Sequence, residues 1–290
     1  MFNILSTANK HQRDQYIQFF EDGHKYIITC DPDSKYTSVT TIIHDNFPSF
    51  NAEIIVAKMM SSPNYKEGHK YWGMTGDEIK AKWSNDGTSA SGAGTEMHYQ
   101  IECFMNNPNV NSSYTHKQLY YDYVKSSSNT TRKRKQTQII QTTEWSYFID
   151  FIKNTPHLKP YRTEWTVYHE DLKIAGSIDM VYENADGTLS IYDWKRSKEI
   201  VRTNNFNEFA TTECIRHIPN VNYWHYALQL NIYKAILETK YGKKVRDLYL
   251  VRLHPDNIDK TYDLIMLPIL TDDVNRLFEH KAKQLCEENA

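Results

Sequence analysis

The stretch GSIDMVYENADGTLSIYDWKRS, residues 176–197, determines the fold that we predict for this chain. It contains two apolar runs of alternating character, and the dipeptide Asp186-Gly187 between them is typical of a tight hairpin turn. The two runs are therefore predicted to form adjacent antiparallel strands. Counting outward from the turn places Asp179 of the first strand roughly opposite Asp193 of the second.

The second strand of this hairpin carries charged side chains on a face that must be buried. Alternation places Asp193 and Lys195 on the face that the apolar residues of the strand also occupy. Burial of such charges without partners is unfavourable, and a cation with a phosphate would compensate it. Two carboxylates about 4 Å apart repel by about 4 kcal/mol at an effective dielectric near 20, and a bound divalent cation reverses that sign. Asp179, Asp193 and Lys195 are therefore candidate catalytic residues.

An acid-x-Lys triplet is a weak signal when it stands alone. The sequence contains five others, including Glu279-His280-Lys281, so a simple Asp–Lys surface pair on an edge hairpin is the alternative interpretation of Asp193 and Lys195. Context separates this triplet from the other five, because its strand parity places it on a buried face and Asp179 stands across the turn; the surface pair stays open as the alternative.

Helical spacing supplies further candidate residues. His98 and Glu102 are four residues apart and share a helix face, as do Gln229 and Tyr233. A histidine and a carboxylate can extend a metal site, while an amide and a phenol can bind a phosphate or hold a lysine. For His98 the alternative is a histidine at the edge of the core whose hydrogen bonds are satisfied. For Gln229 and Tyr233 the alternative is ordinary packing of an amphipathic helix. Glu164, within a predicted strand, is a further candidate metal ligand or lysine partner.

Apolar periodicity along the chain predicts an α/β protein with a mixed sheet. Near the N-terminus, YIQFF and KYIIT flank Asp22-Gly23 and predict a β-hairpin, and YTSVTTII (36–43) is predicted to be a third strand. Helices are predicted near 51–62, 75–86, 94–105, 115–126, 137–155, 222–240 and 271–288, and the remaining strands near 161–169, 172–182, 188–195, 245–253 and 261–267.

We see no internal repeat and no interdomain linker, so one domain over 1–290 is predicted. Residues 1–90 would form an N-terminal elaboration, 91–270 the core and 271–290 a C-terminal helix.

Composition excludes a protein that is held on nucleic acid by bulk positive charge, because the net charge is −2. Local basic segments could still form a track for DNA, with a solvated surface or a localisation signal as alternatives. The residues predicted to bind DNA are Arg196, Lys198 and Arg202 after the motif and Arg132, Lys133, Arg134 and Lys135 in a polar loop. The 21 tyrosines can fill a core or line a surface on which bases stack.

The four cysteines are far apart and form no C-x-x-C pair, so neither a zinc site nor an iron–sulfur cluster is predicted. No apolar run approaches the ~18 residues of a membrane-spanning helix, and the N-terminus lacks a signal-peptide pattern. The chain is predicted to be intracellular and soluble, in the cytoplasm or nucleus, with mitochondrial import left open and without a membrane partner.

GTEMHYQIE (94–102), the Glu164 strand, residues 176–197 and Gln229-x-x-x-Tyr233 together resemble the RecB-type, viral exonuclease-like branch of the PD-(D/E)xK nuclease superfamily. The resemblance implies a restriction-endonuclease-like core, with a central mixed β-sheet flanked by helices. It also implies dependence on Mg²⁺ or Mn²⁺. The residues that it assigns to the metal are His98, Asp179, Asp193 and the backbone carbonyl of Trp194, with Glu102 or Glu164 as a further ligand.

The same resemblance implies that Lys195 is the catalytic lysine and that Gln229 and Tyr233 support it or the substrate. The predicted function is hydrolysis of DNA phosphodiester bonds by an exonuclease acting on single-stranded or duplex ends in replication, repair or recombination. A structure-specific endonuclease is one alternative. A catalytically inactive nucleic-acid-binding module of the same fold is another.

Overall fold

The computed structural model describes residues 3–107, 114–128, 141–203 and 207–288. They form two compact units, Met1–Pro48 with Met97–Ala290, and Ser49–Glu96. The principal elements in chain order are α1 (Ile4–Ala8), β1 (Ile17–Phe20), β2 (Lys25–Ile28), β3 (Thr37–Ser38), α2 (Val39–Asp45), α3 (Ala52–Met60), α4 (Gly76–Met105), α5 (His116–Ser128), α6 (Thr143–Asn154), β4 (Lys159–His169), β5 (Ile174–Glu183), β6 (Leu189–Lys195), α7 (Asn222–Lys240), β7 (Val245–Arg252), β8 (Asp263–Met266) and α8 (Thr271–Glu288).

The central sheet of the first unit is mixed. Along one edge, β5 pairs with the antiparallel strand β4. Along its other edge, β5 pairs with the antiparallel strand β6 at one end and with the short parallel strand β3 at the other end. β6 is parallel to β7, which is antiparallel to β8. A separate antiparallel hairpin, β1–β2, precedes this sheet. The predicted mixed sheet flanked by helices and the predicted N-terminal hairpin are both confirmed.

The sheet buries apolar side chains on both of its faces. In β6, Leu189 and Ile191 join the hydrophobic cluster that contains the α7 side chains, while Tyr192 and Trp194 join the cluster that contains the α6 side chains. A strand that is covered on both sides reads as a near-continuous apolar run. Asp193 lies within that run, so its carboxylate is buried in the sheet.

The turn between β5 and β6 has the predicted geometry. Gly187 has a φ of +79°, which a residue without a Cβ adopts easily, and the Asp186 carboxylate accepts a hydrogen bond from the Thr188 amide. The antiparallel register ends at Met180 and Tyr192. The next residues in that register are Asp179 and Asp193, as the count from the turn predicted.

Two local predictions near the N-terminus were wrong. YTSVTTII is strand only at Thr37–Ser38 and then becomes helix α2, because the Ser38 hydroxyl caps the first turn by accepting a hydrogen bond from the Thr41 amide at 3.0 Å. The helices predicted separately at 75–86 and 94–105 are one continuous helix, α4.

The unit Ser49–Glu96 contains α3 and the first part of α4. Val56 and Ile79 are buried within it, and the Trp83 indole donates a hydrogen bond to the Tyr71 hydroxyl at 2.9 Å. The assignment of the whole chain to one nuclease domain stays a prediction. Within the described residues, every helix is too short or too polar to span a lipid bilayer.

Candidate active site

Three side chains from α4, β4 and β5 converge beside the end of β6. His98, Glu164 and Asp179 each present one potential ligand atom, and these three atoms lie within 4.8 Å of one another. The Asp179 carboxylate also accepts a hydrogen bond from the Trp194 amide at 3.0 Å. Asp179 is thereby tied to β6 just where the paired register of β5 and β6 ends.

The His98 ring has acceptor atoms facing both of its nitrogens. Nε2 lies 3.0 Å from the Trp194 carbonyl oxygen, and Nδ1 lies 3.5 Å from Asp179 Oδ2 and 4.0 Å from Glu164 Oε1. If Nε2 carries the proton and donates to the carbonyl, the Nδ1 lone pair points towards two carboxylates. A cation on the Nδ1 side stabilises that arrangement, and a second hydrogen bond of this kind commonly orients a metal-binding histidine.

Glu164 occupies an unfavourable backbone conformation within β4. Its φ is +43°, in the left-handed region, which costs a non-glycine residue about 1–2 kcal/mol. The neighbouring residues Thr163 and Trp165 remain paired with β5, so Glu164 lies across from Asp179. The Ser177 hydroxyl donates a hydrogen bond to the Glu164 carboxylate at 3.1 Å. Strain of this kind tends to be retained at functional sites.

The electrostatics of this cluster favour a neutral Glu164 carboxyl group in the absence of a cation. Burial, reinforced by the nearby charge of Asp179, raises the pKa of Glu164 to about 8. Burial also raises the pKa of Glu102, whose charge acts on Glu164. Divalent cation binding would reverse this preference, since the ligands bind as carboxylates.

Asp193 and Lys195 form a buried ion pair on the α7 side of β6. Lys195 Nζ lies 2.6 Å from Asp193 Oδ2. The Lys195 side chain is 18% exposed and the Asp193 side chain is 4% exposed. Burial raises the pKa of Asp193 to about 6, although Lys195 opposes the shift. Burial would lower the pKa of Lys195, but Asp193 and Asp179 outweigh it and raise that pKa. Lys195 is therefore an ammonium group, a point that the sequence had left open.

Tyr226 on α7 holds the lysine from the other side. Lys195 Nζ lies 4.6 Å from the centroid of the Tyr226 ring, a cation–π distance. Tyr226 was not among the residues that the sequence predicted for the site. The available signal was its spacing, since it precedes Gln229 by three residues and Tyr233 by seven and so shares their helix face.

Gln229 and Tyr233 lie one turn apart on α7. Tyr233 is 3% exposed, its hydroxyl interacts with Gln229, and burial raises its pKa well above the ordinary range. A Cβ added to Gly176 would come within 2.7 Å of the Tyr233 ring, so the ring packs directly on the backbone of β5. This contact joins α7 to the strand that carries Asp179.

The residues present fit a divalent cation. Three oxygen or nitrogen donors converge in one place, and Asp193 Oδ2 is buried without a hydrogen bond of regular geometry despite its ion pair with Lys195. The carboxylate oxygens are suitable ligands for Mg²⁺ or Mn²⁺, while an imidazole nitrogen is more typical of transition-metal sites.

Comparison with known proteins agrees with this geometry. The sequence profile of the PD-(D/E)XK nuclease superfamily matches residues 84–290, which include all the site residues described above. The chain belongs to the PD-(D/E)XK nuclease superfamily. Members of this superfamily are usually nucleases that use divalent metal ions.

Other comparisons add little to the superfamily assignment. No curated protein matches the sequence. A solved structure titled "Crystal structure of SSO0001" is 19% identical with a TM-score of 0.21, and the match covers 44% of this chain and 47% of that chain. The chain thus spans about half the length of that protein. At this TM-score the likeness does not bear on fold or activity.

The basic residues predicted to bind DNA are in different environments. Arg196 is largely buried and pairs with Glu144 of α6 at 2.6 Å, which leaves it little freedom to reach a phosphate. Lys198 is 74% exposed, and Arg202 is exposed with its guanidinium 4.8 Å from the Tyr223 ring centroid. Arg132, Lys133, Arg134 and Lys135 lie outside the described residues.

The raised carboxyl pKa values predict how stability depends on pH and on the cation. Folded pKa values of about 8 for Glu164 and about 6 for Asp193 exceed the ordinary values of 4.5 and 3.8. The folded protein therefore keeps protons that the unfolded chain has released. The free energy of unfolding of the metal-free protein is expected to fall as the pH rises from about 4 to about 8.

Mg²⁺ should counteract this loss because it binds the ionised carboxylates. The Glu164 side chain is 35% exposed, and solvent screening limits the effect, so we expect Mg²⁺ to add about 1–2 kcal/mol at pH near 8 and less at about pH 5.5. Urea unfolding in EDTA and in Mg²⁺ at both pH values measures this. A stabilisation by Mg²⁺ that is larger at the lower pH would contradict the ligand assignment.

Proposed function

We propose that the protein is a Mg²⁺- or Mn²⁺-dependent deoxyribonuclease, and specifically an exonuclease acting on DNA ends. The observation that carries the proposal is the position of the Lys195 ammonium beside Asp193, next to the His98, Glu164 and Asp179 cluster at the end of the same strand. Superfamily membership supports the nuclease part. The restriction to DNA and to ends rests on the resemblance of the sequence motifs.

In this proposal His98, Asp179 and Asp193 hold the cation, with Glu164 as the further acidic ligand. When bound, such a cation makes a water molecule more acidic and neutralises charge on the scissile phosphate. We assign the Trp194 carbonyl the role of the acceptor that orients His98; with the cation on the Nδ1 side, this carbonyl lies on the opposite side of the ring and is not a ligand of that cation. Glu102 is more remote, acting on Glu164 through its charge.

Lys195 contributes positive charge where the reaction develops negative charge. As an ammonium group it donates hydrogen bonds to phosphate oxygens, which stabilises the transition state more than the ground state. Asp193 and the Tyr226 ring fix its position, so little reorganisation is required when the substrate binds. Gln229 and Tyr233 support this arrangement by packing α7 on β5. The complete set of ionisable side chains favours an enzyme over an inactive binding module.

A covalently closed DNA circle tests the exonuclease part of the proposal. Linear end-labelled DNA, single-stranded and duplex, is expected to be degraded in Mg²⁺, while the closed circle remains intact because it has no end. Opening of the circle at a comparable rate would identify an endonuclease instead. DNA binding without product on any of these substrates would favour the inactive module.

A further inference from the structure

The β1–β2 hairpin carries a group of aromatic rings that its own folding does not explain. Its inner face begins with Ile17 and Ile28, which are buried, and β1 packs on β4. Beyond them, Phe19 pairs across the strands with Tyr26, their ring centroids 4.8 Å apart. His24 follows at the end of the hairpin, 5.0 Å from Phe19 in an edge-on arrangement.

These rings run outward from the hydrophobic core. Tyr26 is buried in the same hydrophobic cluster as Tyr233, and its partner strand β1 packs on β4, the strand that carries Glu164. Phe19 is 37% exposed and His24 is exposed. The series Tyr26, Phe19, His24 therefore begins in the core next to β4, the strand that carries Glu164, and ends in solvent.

We propose that Phe19 and His24, backed by the buried ring of Tyr26, form a stacking platform for unpaired bases of a single DNA strand whose scissile phosphate lies at the active site. The proposal rests on the proposed nuclease function and names its substrate class. Bases stack on aromatic rings whatever their sequence, with about 1–3 kcal/mol per base. A duplex keeps its bases stacked on one another and cannot use such rings, so the platform selects single-stranded or unwound DNA.

The hairpin provides a matched control for this platform. Phe20 follows Phe19 and is similarly exposed, at 46%, but strand alternation places its side chain on the opposite face of the hairpin, opposite Lys25. Phe19→Ala and Phe20→Ala therefore remove the same group from neighbouring positions. His24 has a φ of +48°, so His24→Asn removes the ring while keeping a residue that tolerates this conformation.

Fluorescence binding of a short single-stranded oligonucleotide, with Ca²⁺ in place of Mg²⁺ so that binding is measured apart from hydrolysis, tests the platform. Phe19→Ala is expected to weaken binding by about 10-fold and His24→Asn by several-fold, while Phe20→Ala changes it by less than about twofold. An oligonucleotide that lacks bases at the positions next to the cleaved bond should bind the native protein as weakly as the intact oligonucleotide binds Phe19→Ala.

Native affinity in Phe19→Ala, or an equal loss in Phe20→Ala, would overturn the platform. Failure of the native protein to bind single-stranded DNA would also overturn the platform. If that protein still hydrolyses duplex DNA, the proposed nuclease function is retained without the platform. The predicted binding pattern without hydrolysis of any DNA in Mg²⁺ would instead support the platform and refute the nuclease proposal.

Discussion

Replacing Lys195 with methionine is expected to lower the rate of DNA hydrolysis by at least about 10²-fold in Mg²⁺. Methionine keeps an unbranched side chain against Tyr226 but removes the ammonium group that lies 2.6 Å from Asp193. The change therefore removes the fixed positive charge at the site while preserving most of the packing. Initial rates on linear DNA, together with thermal unfolding to verify the fold, measure the effect. Asp193→Asn is expected to reduce the rate to a similar extent.

The control for Lys195 comes from another acid-x-Lys triplet in the same chain. Glu279-His280-Lys281 lies in helix α8, and the superfamily motif does not include it. Lys281→Met is expected to hydrolyse DNA at the native rate. A Lys195→Met protein that is folded and as active as native would refute the catalytic assignment, and equal losses in both variants would show a general effect of removing a lysine.

Gly176→Ala is expected to lower the free energy of unfolding by about 1–3 kcal/mol. The added Cβ would lie 2.7 Å from Cε1 and 2.9 Å from the hydroxyl oxygen of Tyr233, and that ring is buried with little room to move. Either α7 or β5 must shift to relieve this steric clash. Asp179 lies on β5, three residues after Gly176. A loss of activity in Mg²⁺ is therefore expected with the loss of stability. Urea unfolding measures the stability change.

Two further variants separate this contact from the general effect of replacing glycine. Gly92 lies in an exposed stretch of helix α4, and a Cβ there meets nothing within 4 Å, so Gly92→Ala is expected to stabilise the protein by about 0.5–1 kcal/mol. Combining Gly176→Ala with Tyr233→Leu should cost less than the sum of the single changes, because the smaller side chain removes the clash. Gly176→Ala that is as well tolerated as Gly92→Ala would refute close packing at this position.

The part of the site that local chemistry specifies could be predicted from the sequence. The Asp186-Gly187 turn fixes the hairpin register, and a period of two then places Asp179 and Asp193 next to each other. Helical spacing likewise placed Gln229 with Tyr233 on one face of α7, where Gln229 interacts with Tyr233 and the Tyr233 ring packs on β5. These relations involve residues close in sequence, so they do not depend on how distant elements pack.

Features that arise from tertiary contacts could not be predicted. The partner of Arg196 is Glu144, 52 residues away, and nothing in the local charge pattern distinguishes this pair from a cationic track. The left-handed backbone of Glu164 has no local signal either, because glutamate rarely adopts it. In YTSVTTII, the β-branched residues favoured a strand, but the Ser38 cap and the burial of Val39, Ile42 and Ile43 at helical spacing prevailed.

The most direct test of a metal-dependent nuclease centred on Asp193 and Lys195 is hydrolysis of end-labelled linear DNA by the purified native protein in Mg²⁺ and in EDTA. We predict shortened products in Mg²⁺, none in EDTA, and none with Asp193→Asn in either condition. Hydrolysis that persists in EDTA, or that Asp193→Asn supports at the native rate, would contradict the account.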